Sequence, residues 1–474
     1  MFTSLIDFAY GNQTALVVVG LCFVALLLFV LIRGQSNREP PARAEAPPAK
    51  PQAAPPSATP APASESAAPE FEPLAPPRRV EEIRVPAPMR DMQPARAERA
   101  EAPAPTLEAP VPIGAERSDH YVVTVHFGTD RKDAGSSQSI KDRFLDERAR
   151  PPPGSSRITY GACEVAIPKL HKIGELEAPG WFRSEQPGQH VMLLSLKTSD
   201  RTTFLGNLAK AMKDEKSVFV FVHGFSTSFE DAARRTAQMA FDMKFRGAPI
   251  FFDWPTSSMG ATNLNAYTES ENNARWATEH FRSFLLDVVR ESGAKTVHLI
   301  AHSMGNRIVT DALMELYWVL TPAEKSIIGE VVLTAPDIDA DVFVDQIAPR
   351  ITAMNSRVTL YASTKDTALA TSKGVHGYPR AGDFAALTKF PEKVEVVDAS
   401  DVDTDVLGHS YYGNAQSVIS DICHLITGRS PAGQRTVTLA ALSSAHGTRF
   451  WRVRKESTLE QVWAALTGRQ NPIA

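Results

Sequence analysis

The chain has few of the residues that build disulfide or metal frameworks. Only three of its 474 residues are cysteines, Cys22, Cys163 and Cys423. Cys22 lies in an apolar run, so at most one disulfide can form, between Cys163 and Cys423. The sequence also has no CxxC and no HExxH motif, which are short patterns typical of zinc sites. We therefore expect no built-in metal site.

The chain also lacks an excess of charge of either sign. It has 50 lysines and arginines against 54 aspartates and glutamates, a formal net charge of −4. A protein that recruits nucleic acid needs a positively charged surface, which this composition does not supply. We expect no nucleic-acid partner, and the composition identifies no protein partner.

One stretch near the amino terminus has no charge at all. Ala15–Ile32 reads ALVVVGLCFVALLLFVLI, and as a helix it would span about 27 Å, close to the hydrocarbon thickness of a bilayer. Residues 1–14 contain no lysine or arginine and no clean A-x-A site follows, unlike a cleaved signal peptide. We predict a transmembrane helix at residues 15–32.

Basic residues flank this run on its carboxyl-terminal side alone, at Arg33, Arg38, Arg43 and Lys50. Positively charged flanks stay in the cytoplasm. The flanking charges therefore predict a single-pass membrane protein whose remaining chain lies on the cytoplasmic side.

Residues 33–117 lack what a folded domain needs. Residues 38–112 hold 20 of the 35 prolines and one aromatic residue, Phe71. Such a stretch cannot bury enough apolar surface to offset the entropy lost on ordering. We predict a disordered Pro/Ala-rich linker over residues 33–117; a docking segment for a proline-reading partner is the weaker alternative.

Strand and helix signals alternate over residues 118–430. Short apolar runs are typical of strands that are buried on both faces. Their alternation with helices predicts an α/β fold, with a mainly parallel sheet, helices on both faces and ligands at the carboxyl ends of the strands. Residues 431–474 form a C-terminal extension without a functional interpretation. The strand-like runs are Tyr121–Phe127, Ile158–Ile167, Val191–Leu196, Val218–Val222, Pro249–Phe252, Val297–Ala301, Glu330–Thr334, Arg357–Ala362 and Lys393–Val397.

Capping signals place several helices between these strands. Capping boxes starting at Thr227 and Thr268 predict two helix starts, the first helix ending near Gly247. A third helix is predicted over Met304–Leu320, and a later one near Ala415–Ile426.

A serine lies between a buried strand and the third helix, in the segment Ala301-His302-Ser303-Met304-Gly305. A nucleophile elbow needs this strand–turn–helix context, with small residues two positions before and after the serine. Ala301 departs from the usual G-x-S-x-G pattern but is still small. A serine that merely caps the helix is the alternative.

An upstream strand that ends in His223-Gly224-Phe225 favours the nucleophile. The loop after this strand and the residue after the serine supply the two amides of an oxyanion hole in α/β-hydrolases. We therefore predict the N–H groups of Phe225 and Met304 as oxyanion donors. His223 and His302 are interpreted as packing or hydrogen-bonding residues.

A serine hydroxyl needs a base, and the base needs an orienting acid, in the chain order Ser, acid, His. His409 follows the last strong strand and is the predicted base, with His376 as the runner-up. Asp366 follows the strand before it and is the predicted acid. Asp337 and Asp339 follow an earlier strand and remain open as alternatives.

Eight segments, taken in this order, resemble a bacterial α/β-hydrolase family of unknown function that belongs to the esterase/lipase superfamily. They are VHFGTDR (Val125–Arg131), ITYGACEVAIP (Ile158–Pro168), FVFVHGF (Phe219–Phe225), FFDWP (Phe251–Pro255), AHSMGN (Ala301–Asn306), LTAPDID (Leu333–Asp339), LYASTKD (Leu360–Asp366) and GHSYY (Gly408–Tyr412). The resemblance implies an α/β-hydrolase fold and catalytic roles for Ser303, Asp366 and His409. It implies no substrate. The predicted membrane helix lies outside the resembling segments; for a bacterial protein it predicts a location in the inner membrane.

The sequence as a whole predicts a membrane-anchored serine hydrolase. It would cleave a small-molecule or lipid-like acyl ester or thioester through an acyl-enzyme, without a metal or organic cofactor. An amidase or peptidase with the same triad, and a non-catalytic membrane-tethered scaffold, are the alternatives.

Overall fold

The computed structural model describes residues 114–179, 184–213, 215–257, 264–354, 356–387, 391, 393–402, 416–444 and 447–467. The predicted membrane helix at residues 15–32 lies outside these ranges, as does the predicted linker up to residue 113. Among the residues described, no helix is both long and apolar enough to span a membrane.

The strands follow the predicted runs closely, because each run is apolar enough to be buried on both faces of a sheet. They are β1 (Ala115–Glu116), β2 (His120–Thr129), β3 (Arg131–Asp133), β4 (Phe144–Arg148), β5 (Thr159–Pro168), β6 (Met192–Ser199), β7 (Ser217–Val222), β8 (Ala248–Asp253), β9 (Thr296–His302), β10 (Ile328–Thr334), β11 (Arg357–Ala362), β12 (Val394–Asp398), β13 (Leu439–Ser443) and β14 (Arg449–Val453).

The helices separate most of the later strands. They are α1 (Arg201–Ala211), α2 (Phe229–Asp242), α3 (Leu264–Glu291), α4 (Gly305–Val319), α5 (Pro322–Lys325), α6 (Ala340–Val342), α7 (Ala348–Thr352), α8 (Thr367–His376), α9 (Gln416–Gly428) and α10 (Leu459–Thr467). A π-helical turn (Phe343–Ile347) joins α6 to α7, and short 3-10 turns occur at Phe384–Ala386 and Ala432–Gln434.

The described strands form a 12-stranded sheet in the order β13-β14-β12-β11-β10-β9-β7-β8-β2-β5-β6, with β1 beside β2. Neighbours from β14 through β2 pair in parallel, and β5, β6 and β13 add antiparallel edges. β3 and β4 form a separate hairpin, which the sequence did not predict. The predicted α/β architecture with a mainly parallel sheet is confirmed.

The alternation of side chains along β7 shows why the sheet is covered on both faces. Val218, Val220 and Val222 belong to one buried cluster, together with side chains of α1, α3 and α4. Phe219 and Phe221 belong to the other cluster, with side chains of α2, α9 and α10. Since successive residues of a strand point to opposite faces, an unbroken apolar run requires helices on both sides.

Two predicted helix starts were wrong. α2 is capped by Ser228 rather than Thr227: the Ser228 Oγ accepts the Asp231 N–H at 3.1 Å, and the helix ends at Asp242. α3 begins at Leu264, so Thr268 lies within it. Packing of the first turn of α3 explains the earlier start, since the Tyr267 ring contacts the Phe225 ring. Tertiary contacts there override the local capping signal.

The two ends of the domain are more closely tied to the sheet than the sequence suggested. Ala115 and Glu116, at the end of the predicted linker, pair with β2. At the other end, β14 pairs in parallel with β12, with Val397 opposite Trp451. β13 and β14, both in the predicted C-terminal extension, therefore continue the central sheet.

Candidate active site

Ser303 lies at a sharp turn between β9 and α4, at the carboxyl-terminal edge of the sheet. Its backbone φ is +51°, a left-handed conformation that is uncommon for residues other than glycine. The turn is held from two sides: the Ser303 N–H donates to the Thr334 carbonyl at 3.0 Å, and the Asn306 side-chain amide donates to the Ser303 carbonyl at 2.9 Å. A strained backbone that its neighbours hold in place is what a nucleophile elbow requires.

Gly305 is needed because α4 passes very close to β7. A Cβ atom at Gly305 would lie 2.3 Å from the His223 carbonyl oxygen and 2.6 Å from that of Val222. No real side chain fits at such distances, so the small residue two positions after the serine is a steric requirement of the helix–strand approach. Ala301, two positions before the serine, is fully buried in β9.

Met304 caps α4 at its amino terminus with its backbone and has no side-chain cap. The Ser303 side chain therefore does not act as a helix cap, which was the structural alternative to the nucleophile. Neither the Met304 N–H nor the Phe225 N–H donates a hydrogen bond to any other residue that the structure describes. The Met304 N–H in the elbow and the Phe225 N–H in the neighbouring loop are thus both available to bind an oxyanion.

His223 takes part in a buried hydrogen-bond cluster beneath this loop. Its Nε2 lies 3.0 Å from an Asp253 carboxylate oxygen, and its ring stacks on Trp254 at a centroid distance of 5.4 Å. His302 is buried next to Gly224, where its Nδ1 would lie 2.9 Å from an added Cβ. Both histidines have the packing and hydrogen-bonding environment that the sequence suggested.

Asp366 follows β11 and caps α8, its carboxylate accepting the Leu369 N–H at 3.0 Å. It is 5% exposed. β11 lies two strands from β9, with their carboxyl ends at the same sheet edge. The predicted base, His409, lies outside the described residues, as does the rest of the segment 403–415.

Asp337, one of the alternative acids, is engaged by two arginines. Its carboxylate accepts from Arg380 Nε at 2.7 Å and lies 3.4 Å from Arg307 Nη2. It also accepts from the hydroxyls of Ser372 and Tyr267. Burial acts to raise the pKa of Asp337, but the charges of Arg307 and Arg380 outweigh it and hold this pKa far below its usual range.

The other two alternatives also have structural partners. Asp339 caps α6, accepting the Asp341 and Val342 N–H groups at 3.0 Å each. His376, the runner-up base, lies in α8 with its Nδ1 2.9 Å from the Ser372 carbonyl and its Nε2 3.1 Å from Glu271. Asp339 and His376 are therefore both bonded to neighbouring structural groups.

The sequence reasoning assigned no role to Asp253 and Arg131, which form a fully buried ion pair at 2.9 Å. Burial acts to raise the pKa of Asp253, but Arg131 and then His223 outweigh it and hold the pKa below its usual value. A signal was present: both residues are charged and follow directly on an apolar strand, in VHFGTDR and FFDWP. Ligands bind at the carboxyl ends of parallel strands, so charged residues at these positions are candidates for a role at the site.

The two cysteines among the described residues, Cys163 and Cys423, are both free thiols and both buried. The one disulfide that the sequence allowed, between Cys163 and Cys423, is therefore not formed. Burial raises the pKa of the Cys423 thiol to about 12, so this side chain stays protonated and acts as a small apolar residue. Within the described residues, no group of three or more histidine, cysteine, aspartate or glutamate side chains could hold a metal ion.

A mainly parallel sheet covered on both faces, with a strained serine elbow at its carboxyl edge, defines the α/β-hydrolase class. Residues 197–429 match the model of the family described as "Alpha/beta hydrolase of unknown function (DUF900)". The family resemblance inferred from the sequence motifs is thus confirmed. A comparison with curated proteins finds no match.

Among solved structures, the chain is similar to the Pyrococcus furiosus esterase Pf2001, with 10% identity and a TM-score of 0.25 over 45% of this chain and 83% of that one. It is similar to a hormone-sensitive lipase from a metagenome library, with 15% identity and a TM-score of 0.26 over 45% and 79% of the two chains. It is also similar to phospholipase PlaB from Legionella pneumophila, with 12% identity and a TM-score of 0.29 over 50% and 68%. Values this low transfer neither a substrate nor a residue role to this chain.

Proposed function

We propose that this protein is a serine hydrolase that cleaves ester or thioester bonds through an acyl-enzyme on Ser303. The observation that carries the proposal is the elbow itself: a non-glycine residue at φ +51°, between a buried strand and a helix, with Gly224 and Gly305 packed tightly around it. Left-handed strain at a serine in this position has a function in α/β-hydrolases, because it presents Oγ above the sheet.

In the proposed mechanism, His409 takes the proton from Ser303 Oγ as this oxygen attacks the acyl carbon. Asp366 keeps the imidazole in the required tautomer and stabilises its positive form. The Phe225 and Met304 N–H groups bind the oxyanion, the negative charge that develops on the acyl oxygen. His409 then protonates the leaving group and activates a water molecule, which releases the acid and restores Ser303.

The choice of Asp366 over Asp337 is supported by their surroundings. Asp337 is bound by Arg307, Arg380 and two hydroxyls, so its carboxylate is already occupied by structural contacts. Asp366 lies one strand further along the sheet, at the position from which α/β-hydrolases often supply the acid before the histidine.

Turnover by the purified full-length chain tests this function. A panel of p-nitrophenyl esters of short and long acyl chains, matched thioesters and matched anilides would be compared for the wild type and for Ser303→Ala. We expect ester or thioester turnover that the substitution abolishes. Faster turnover of anilides than of esters would move the assignment to an amidase with the same triad.

We further propose that Ala15–Ile32 anchors the enzyme in the bacterial inner membrane, with the catalytic domain in the cytoplasm. The uncharged run and the basic residues on its carboxyl-terminal side support this. Cell fractionation of the full chain and of a variant lacking residues 15–32 tests the anchor, and protease accessibility in spheroplasts tests the side. Recovery of the full chain in the soluble fraction would overturn the anchor.

A further inference from the structure

The loop between β7 and α2 carries the proposed oxyanion donor Phe225. The backbone carbonyls of the two residues before Phe225 both have hydrogen-bond partners. The Trp254 indole N–H donates to the His223 carbonyl at 2.8 Å. The His223 Nδ1 lies 2.9 Å from the Gly224 carbonyl oxygen. Both carbonyls that precede the Phe225 amide thus have a partner from a buried ring.

The backbone after Phe225 is bonded as well. The Ser226 N–H donates to the Thr256 hydroxyl at 3.0 Å, and Arg131 Nη2 donates to the Thr227 carbonyl at 2.7 Å. Ser226 has a φ of +56°, a left-handed conformation like that of Ser303. Such a conformation persists only where the surrounding structure holds it.

These contacts converge on one buried carboxylate from the neighbouring strand β8. Asp253 is fully buried and accepts from Arg131 Nε at 2.9 Å and from the Thr129 hydroxyl at 2.6 Å, while His223 Nε2 lies 3.0 Å away. Arg131 and His223 are the same side chains that bond the loop. Thr256, three residues further along, bonds the loop directly and is also fully buried.

Among the residues that the structure describes, these contacts leave the Phe225 N–H without an acceptor. The His223 carbonyl and the Ser226 N–H, on either side of Phe225, bond to Trp254 and Thr256, which follow β8 in the chain. An oxyanion hole works because its donors are fixed before the charge develops, so that no reorganisation is needed during the reaction.

We propose that Asp253 and Thr256 are positioning residues that hold the His223–Thr227 loop so that the Phe225 N–H faces the acyl oxygen. The proposal rests on the serine hydrolase function proposed above. Thr256 acts on the Ser226 amide, and Asp253 acts through Arg131 and His223. Neither residue touches the substrate.

The sharpest test is Thr256→Val, which keeps the shape of the side chain but removes the acceptor of the Ser226 N–H. Thr256→Ser keeps that acceptor and serves as the conservative variant. Thr236→Val is the matched control, since Thr236 is equally buried and its hydroxyl donates to the Ala232 carbonyl within α2, at 2.7 Å, and to no other residue that the structure describes.

We expect Thr256→Val to lower kcat for the best ester by about tenfold or more, with KM changed less than about twofold. The loss should stay below the hundredfold or more that follows outright removal of an oxyanion donor. Thr256→Ser should recover most of the activity. Asp253→Asn should lower kcat in the same way, with a larger loss of stability because the buried Arg131 keeps only the partly exposed Asp146 as a counter-ion.

Hydrogen exchange measured by mass spectrometry on the same full-length proteins provides a second readout. Exchange in the peptide covering residues 223–227 should be faster in Thr256→Val than in the wild type, and unchanged in Thr236→Val. Equal kcat values for the two valine variants would overturn the proposal.

The two readouts also separate this proposal from the proposed function. If the wild type hydrolyses none of the substrates and takes no serine-directed probe, the hydrolase function fails. The exchange measurement then still decides whether Thr256 restrains the loop: faster local exchange in Thr256→Val supports the restraint, and equal exchange overturns it.

Discussion

Gly224 and Ser303 approach so closely that a Cβ atom on Gly224 would lie 2.8 Å from the Ser303 Cβ. It would also lie 2.9 Å from the His302 Nδ1. The proposed oxyanion loop and the proposed nucleophile are therefore in van der Waals contact, and their separation depends on the absence of one methyl group.

Gly224→Ala should accordingly impair catalysis while the protein stays folded. The added methyl group pushes the loop or the serine out of place, and displacements of about 1 Å can cost on the order of a hundredfold in rate. We expect the rate of inactivation by a fluorophosphonate to fall at least tenfold. Gly206→Ala in α1 is the control, because nothing lies within 4 Å of its added Cβ and alanine favours a helix. Equal inactivation rates for the two variants would contradict the proposed loop geometry.

The identity of the acid is tested by comparing Asp366→Asn with Asp337→Asn. Asp366→Asn should lower kcat by about a thousandfold or more, since an asparagine partner stabilises the wrong imidazole tautomer. Its stability should change little. Asp337→Asn should mainly destabilise the fold, by about 3–5 kcal/mol, because Arg380 would be left buried with its charge unpaired. The reverse pattern, a stable Asp337→Asn protein without activity, would assign the acid to Asp337.

The sequence predicted the sheet well because the signal there is local. Each central strand is an apolar run bounded by polar residues, and Ser303 lies directly between one such run and a helix. The start of α3 could not be predicted, since it depends on the packing of Tyr267 against Phe225. The Arg131–Asp253 pair was missed for the same reason: residues 122 positions apart meet only once β2 and β8 pair.

His171 should make the protein less stable as the pH rises above neutrality. Burial acts to lower the pKa of His171, but its hydrogen bonds to Asp242 and Glu177 outweigh burial and raise the pKa to about 9. Because the pKa of His171 is higher in the folded state than in the unfolded state, protonated His171 stabilises the fold. This stabilisation is complete below about pH 6.5 and is lost as the pH rises to about 9.

Urea unfolding of the wild type and of His171→Gln at pH 6 and pH 9 measures this effect. The wild type should be the more stable protein at pH 6, by at most about 3 kcal/mol, since one pKa unit corresponds to about 1.4 kcal/mol. The difference should shrink at pH 9. A difference that stays constant over this range would show that His171 does not titrate as described.

Arg435 links the chain after α9 to the central sheet, and its replacement should be costly. It is fully buried and donates to Asp421 at 2.6 Å and to Glu395 at 2.7 Å. Arg435→Leu leaves the buried Asp421 carboxylate without its cation, a change that costs about 3–5 kcal/mol. Arg290→Leu breaks the exposed pair with Glu324, which water screens, and should change the stability far less. Denaturant midpoints of both variants check this difference, and similar shifts would contradict it.

The central claim is that Ser303 is an activated nucleophile. Treating the purified full-length protein with a fluorophosphonate probe and locating the adduct by peptide mass spectrometry tests it most directly. We expect one adduct, on Ser303, and none on a Ser303→Ala protein that melts at the same temperature. A folded wild-type protein that takes no label, or takes it on another serine, would contradict the account, and the first outcome would point to a non-catalytic scaffold.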